Sequence, residues 1–183
     1  MRPALLLVVL AALLSTAAPA QAQTDPPTRS GFFIGFGADL GALALSDADG
    51  REAGPGGFFT GGFAVNPRLF AGLEINGWLG NEEAGTGEVD FLFAQYLATG
   101  HLFPLQGRGL FLKGGLGLST LEVTTGNRGG SNTRTGFGAL VGVGYDIRVG
   151  ENVAISPYGT LGYGTFDDVS ANVVHVGVGV TGR

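Results

Sequence analysis

From residue 31 onward the chain alternates. Phe32, Ile34, Phe36, Ala38, Leu40 and Ala42 fall on one parity, and Gly35, Gly37, Asp39 and Gly41 on the other. A two-residue period belongs to β-strands, whose side chains point alternately to opposite faces. The reading repeats along the chain and predicts eight strands, over 31–45, 57–66, 68–80, 89–103, 109–124, 135–148, 152–166 and 171–182. In the third, Leu69, Ala71, Leu73, Ile75 and Leu79 oppose Arg68, Glu74 and Asn76. In the fifth, Leu110, Leu112, Leu116 and Leu118 oppose Lys113, Gly115, Gly117 and Ser119. The sixth sets Phe137, Val141, Val143, Tyr145 and Ile147 against glycines, Asp146 and Arg148. The eighth sets Val174, Val176, Val178 and Val180 against His175, Gly177, Gly179 and Thr181. Strands two, four and seven are weaker, with Thr60, then Gln95, Thr99 and His101, then Ser156, Tyr158 and Thr160 on the polar side. No segment carries the caps and 3.6-residue period of a helix.

The connections differ in kind. Asn66-Pro67-Arg68, Pro104 to Arg108 and Val149 to Asn152 read as tight turns. Ser46 to Gly56, Asn81 to Glu88, Thr125 to Arg134 and Asp167 to Ser170 read as longer polar loops. Short turns fall at one end of the strands and long loops at the other, as in an up-and-down barrel that crosses a membrane.

Glycine, 35 of 183 residues, sits largely on the polar parity beside the long charged side chains. An eight-stranded barrel has an interior just wide enough for side chains, so glycine there makes room for its neighbours. The aliphatic parity must then face outward, which only lipid tolerates. No charge falls on that parity in the middle of a strand, where one would cost about 2–4 kcal/mol. Asp90 and Glu122 share the parity but lie at loop-proximal ends. A soluble secreted barrel with the aliphatic face inside is the competing reading. It would offer water a face of glycines with one or two charges per strand, and would leave the segregation of turns and loops unexplained.

The beginning of the chain reads differently. Met1-Arg2, an apolar run from Ala4 to Leu14 and small residues ending Ala20-Gln21-Ala22 describe an export signal over residues 1–22. The run is shorter than a membrane helix needs. Residues 23–30 form a short lead and 31–183 the barrel. With 0 cysteines, no disulfide braces the fold. The net charge of −5 argues against nucleic acid as a partner.

An export signal followed by eight amphipathic strands resembles the small outer-membrane barrels of the OmpA transmembrane-domain and OmpX type, over about residues 31–183. The resemblance implies an all-β, eight-stranded antiparallel up-and-down transmembrane β-barrel, with the chain ends towards the periplasm. It implies outer-membrane lipid as surroundings, and periplasmic chaperones and the barrel-assembly machinery as partners during export. Members usually end in an aromatic residue, whereas this sequence reads Val180-Thr181-Gly182-Arg183.

Candidate chemistry is sparse. The lumen parity collects Asp39, Glu74 and Asp146 against Arg68, Lys113 and Arg148, joined by Gln95 and His175. Charges removed from water need partners, so these eight residues are expected to form a polar lumen network, with Glu74 paired to Lys113 and Asp39 as a rival partner. A gate or narrow ion path is the functional alternative. His101 and His175 are the only histidines. Some outer-membrane barrels modify lipid with Ser and His, but no serine neighbours His175, and His101 lies at the short-turn end. Gly177 to Gly182 matches G-x-G-x-x-G without the helix that a phosphate cradle requires. Asp47 to Glu52 departs from the spacing of a calcium loop. Loops and adjoining strand ends hold ten acids against Arg51, Arg128 and Arg134, a formal −7. The expectation is an outer-membrane barrel with a structural or surface-interaction role, without catalysis, metal or cofactor. A narrow low-conductance pore, a lipid-modifying enzyme and a soluble binding barrel are the alternatives, in that order.

Overall fold

A computed structural model describes residues 31–46, 50–84, 87–105, 108–125, 130–167 and 169–183. The expected export signal and lead, residues 1–30, lie outside them. The described chain is a closed antiparallel barrel of eight strands. These are β1 (Phe32–Leu45), β2 (Glu52–Asn66), β3 (Leu69–Ala84), β4 (Gly87–Leu102), β5 (Leu110–Thr125), β6 (Gly130–Tyr145), β7 (Val153–Phe166) and β8 (Val169–Gly182). After Asp146, β6 continues for two residues, Ile147–Arg148. Each strand pairs with its sequence neighbours, and β8 pairs with β1 to close the wall.

The register fixes the shape. Paired residues lead from Phe32 through Phe63, Ala71, Gly100, Gly114, Val141, Leu161 and Val174 back to β1 at Ala42, ten residues along from the start. With strands about 4.8 Å apart and a rise of about 3.3 Å per residue, that stagger tilts the strands by roughly 41°. The tilt lies within the range of membrane-spanning barrels.

Alternation decides what each side meets. Phe32, Ile34, Phe36, Leu73, Leu116, Val141 and Val176 are exposed on the outer wall, Phe32 by 83%. Glu74, Gln95, Lys113, Asp146 and His175 are buried inside. Several strands run further at the loop end than the hydrophobic pattern predicts, because pairing beyond the lipid needs no apolar parity. β2 begins at Glu52 instead of residue 57, β3 and β4 reach Ala84 and Gly87, and β6 begins at Gly130. Pro55, which has no N–H to give, sits where the β2–β3 ladder has already stopped; that ladder starts at Gly56. The β7–β8 connection is also tighter than expected, with Phe166 pairing to Val169. Asp167 there takes a positive φ of 39°, which the short Asp side chain tolerates.

Candidate functional site

The lumen is the one place where the sequence concentrates chemistry, and it is stacked in three floors. The middle floor is polar. Lys113 on β5 reaches Glu74 on β3, with Nζ donating to Oε1 at 2.8 Å, and the two side chains are 5% and 0% exposed. The same Nζ lies 4.8 Å from the Phe58 ring centre and 5.7 Å from that of Tyr158. Asp39 does not take Lys113. Its Oδ1 lies 2.6 Å from His175 Nδ1, and its Oδ2 accepts the Tyr158 hydroxyl at 2.5 Å. Glycine makes room here as the alternation requires. A methyl group on Gly41 would come within 3.0 Å of His175 Nδ1, and one on Gly56 would collide with Asp39 Oδ1. Gln95, a little nearer the loops, donates to Ser119 Oγ and to the carbonyls of Ala139 and Tyr163.

Above and below lie apolar lids. Towards the loops, Leu43, Trp78, Phe93, Leu121, Phe166, Ala171 and Val173 form a buried cluster. Towards the turns, Phe33, Phe70, Phe103 and Phe111 form another. Into this second lid comes Arg183, the residue after β8. Its Nη2 donates to Asp146 Oδ2, and its guanidinium carbon lies 5.2 Å from the Phe70 ring centre and 5.6 Å from that of Phe103. Asp146 Oδ1 accepts from Ser156 at 2.7 Å. His101 stacks on Phe111 at 5.6 Å. A cavity of about 30 Å³ separates this lid from Lys113.

Of the eight residues expected in the lumen, the structure turns Asp39, Glu74, Gln95, Lys113, Asp146 and His175 inward. Arg68 is different. It is exposed in the β2–β3 turn, whose backbone is held by Asn66 Oδ1 accepting from the N–H groups of Arg68 and Leu69. The inward parity runs on past the strand end, but the chain there has left the wall. Arg148 is half-buried at the rim. Partial burial, and then the Arg183 guanidinium, lower its pKa from the ordinary value, while Asp146 opposes them; an arginine remains a cation there. Alternation of charge and glycine does not reveal Arg183 as the partner of Asp146. It also passes over the inward aromatics, although Phe33, Phe70, Trp78, Phe93 and Phe111 share the parity of the polar residues.

Among the described residues, the lumen's charges are held in pairs and its serine hydroxyls face amide or carboxylate partners. Ser119 meets Gln95 and Ser156 meets Asp146, so neither serine is bonded to a histidine. Among the described residues, no group of three or more His, Asp and Glu is placed to hold a metal ion. On the outer wall at the loop end, Asp90 is exposed, and Glu122 accepts from Ser131 at 2.7 Å.

The sequence matches the family described as outer membrane protein beta-barrel domain over residues 8–181. Among solved structures, the barrel is similar to Neisserial surface protein A, with a TM-score of 0.65 and 18% identity, covering 83% of this chain and 96% of that one. It is similar to Ail, the attachment invasion locus protein of Yersinia pestis, in a complex with the heparin analogue sucrose octasulfate; the TM-score is 0.61 and the identity 16%, over 84% of this chain and 99% of that one. OprG from Pseudomonas aeruginosa follows with a TM-score of 0.52 and 13% identity, over 85% of this chain and 98% of that one. At these identities the likeness is one of fold. No curated protein sequence matches the chain.

Proposed function

The chain belongs to the outer membrane β-barrel family, and from that premise we propose that it acts through its exterior, as a structural and surface-interacting barrel without catalysis. The observation that carries this reading is the state of the lumen. A buried ion pair, Glu74 with Lys113, stands between two apolar lids. An ion crossing such a tube would have to shed its water in the lids and break that pair. Catalysis on lipid has no support in the geometry either. His175 meets Asp39 through Nδ1 but has no hydroxyl bonded at its buried Nε2, and His101 is packed among Phe33 and Phe111.

The exterior offers two surfaces, the lipid-facing wall and the loop end. Among the described residues, the charges of the loop end are Arg51, Glu52, Glu82, Glu83, Glu88, Asp90, Glu122, Arg134 and Asp167, an acidic excess. The partner we propose for that end is therefore cationic, such as a basic protein surface. The heparin analogue found with Ail is a polyanion, and it should not be retained by this chain. With turns towards the periplasm, that end faces outward from the cell. Planar-bilayer recording of the folded full chain tests the closed lumen. No steady openings are expected, and reproducible small conductance steps would replace this reading with that of a narrow pore.

A further inference from the structure

We propose that the turn end of the barrel is a docking ring for the phosphate groups of anionic phospholipids, formed by Arg68, Arg108 and Arg148. Arg68 and Arg108 lie in two of the tight connections, and Arg148 lies just before the third. Arg68 is exposed in the β2–β3 turn, and Arg108 is exposed just before β5. The Arg108 backbone is held in place by its N–H donating to the Leu105 carbonyl at 3.3 Å. Arg148 stands half-buried where β6 ends. Successive turns are two strand widths apart, roughly 13 Å round the rim at this tilt, which spaces the three arginines for separate headgroups.

The charge of this end opposes that of the loop end. Its acids among the described residues are Asp146 and Glu151. Asp146 is buried and already engaged by Arg183 and Ser156, which leaves Glu151 alone exposed against three arginines. Depth supplies the second half of the argument. Phe63, Leu69, Leu102, Ile147, Val149 and Val153 are exposed apolar residues at the same rim. They continue the lipid-facing wall down to the arginines, so the ring sits where hydrocarbon gives way to headgroups. A guanidinium presents a planar fork that matches phosphate. A negative surface attracts each such cation by a factor of about five at low salt.

The inference rests on the outer-membrane placement and is independent of whether the lumen conducts. Its test uses the full chain folded in vesicles of equal phosphatidylglycerol and phosphatidylethanolamine, with folding checked by heat-modifiable gel mobility. Lipid retained on the protein is then counted by native mass spectrometry. Wild type should retain phosphatidylglycerol in preference to phosphatidylethanolamine. Each of Arg68→Gln, Arg108→Gln and Arg148→Gln should weaken the preference by up to about fivefold, and the triple variant should abolish it. Glu151→Gln should strengthen it. The single variants keep the test valid if the triple variant does not fold. Absence of preference in wild type at low salt, or an unchanged preference in the three single variants, overturns the proposal. So does displacement of the lipid by millimolar inorganic phosphate, which would mark a site for free phosphate. Conductance recorded on the same samples reports on the closed lumen, so the two readings can fail separately.

Discussion

The two lids of the lumen do the same job with different chemistry. The loop-end lid is built of uncharged aromatic and aliphatic side chains, with Trp78, Phe93, Phe166, Ala171 and Val173 fully buried. The turn-end lid is four phenylalanines pierced by a guanidinium, with Arg183 lying against Phe70 and Phe103 and bound to Asp146. Burial of apolar surface offers no charge for dissolved ions to screen, whereas a pair with one partner 15% exposed is partly screened. The loop-end lid is therefore fixed by packing alone. The turn-end lid is pinned by a contact that solution conditions can loosen. A tube closed in these two ways has a passive end and an adjustable end.

The largest effect is expected where packing acts alone. Trp78 is completely buried among side chains from several strands, and Trp78→Ala should cost about 3–5 kcal/mol. Urea titration followed by gel shift measures this. Because the lesion is a cavity, the cost should be the same in low and high salt. A strongly salt-dependent cost would erase the distinction between the lids.

Between the lids, Lys113→Met should strand Glu74 as an unpaired buried carboxylate. Breaking such a pair costs about 3–5 kcal/mol, and the cation–π contacts with Phe58 and Tyr158 are lost with it. Adding Glu74→Gln should recover much of the loss, since removing both charges also removes the desolvation that they required. Additive losses would refute the coupling. Conductance of the double variant should stay near that of wild type, because both lids remain.

How much of this the sequence makes legible follows from which forces enforce a pattern. Lipid allows no charge at mid-strand, so the outward parity of Phe36, Leu73, Leu116 and Val176 is strict and reads directly. The inward parity carries no such rule. Polar Asp39, Glu74 and Lys113 stand out on it, but Phe33, Phe70 and Trp78 look like interruptions of an alternating pattern, although they build the lids. Periodicity also cannot say where a strand stops. Arg68 has lumen parity and yet lies in a turn, and Glu52 to Gly56 look like loop and yet pair with β1. Partner choice is the least legible property. Asp39 and Glu74 are chemically alike; only their positions on β1 and β3 give one to His175 and the other to Lys113. The reach of Arg183 back into the lumen depends on side-chain geometry, to which alternation is blind.

The smallest effect, and the sharpest test of the adjustable end, concerns Arg183. Arg183→Gln removes a charge-assisted hydrogen bond, worth about 1.5–3 kcal/mol when well buried, and partial exposure should bring the loss towards the lower figure. Arg183→Lys keeps the charge but not the plane that lies against Phe70 and Phe103, so it should lose less, on the order of 1 kcal/mol. Salt separates the contributions. At 1 M salt the screening length falls to about 3 Å, and wild type should lose stability relative to Arg183→Gln, narrowing the gap between them. The Lys variant should follow wild type in its salt response while starting lower. Urea titrations of the three proteins at low and high salt give all six values. If the gap between wild type and Arg183→Gln is the same at both salts, the guanidinium acts as packing. The turn-end lid would then be as passive as the lid at the loops.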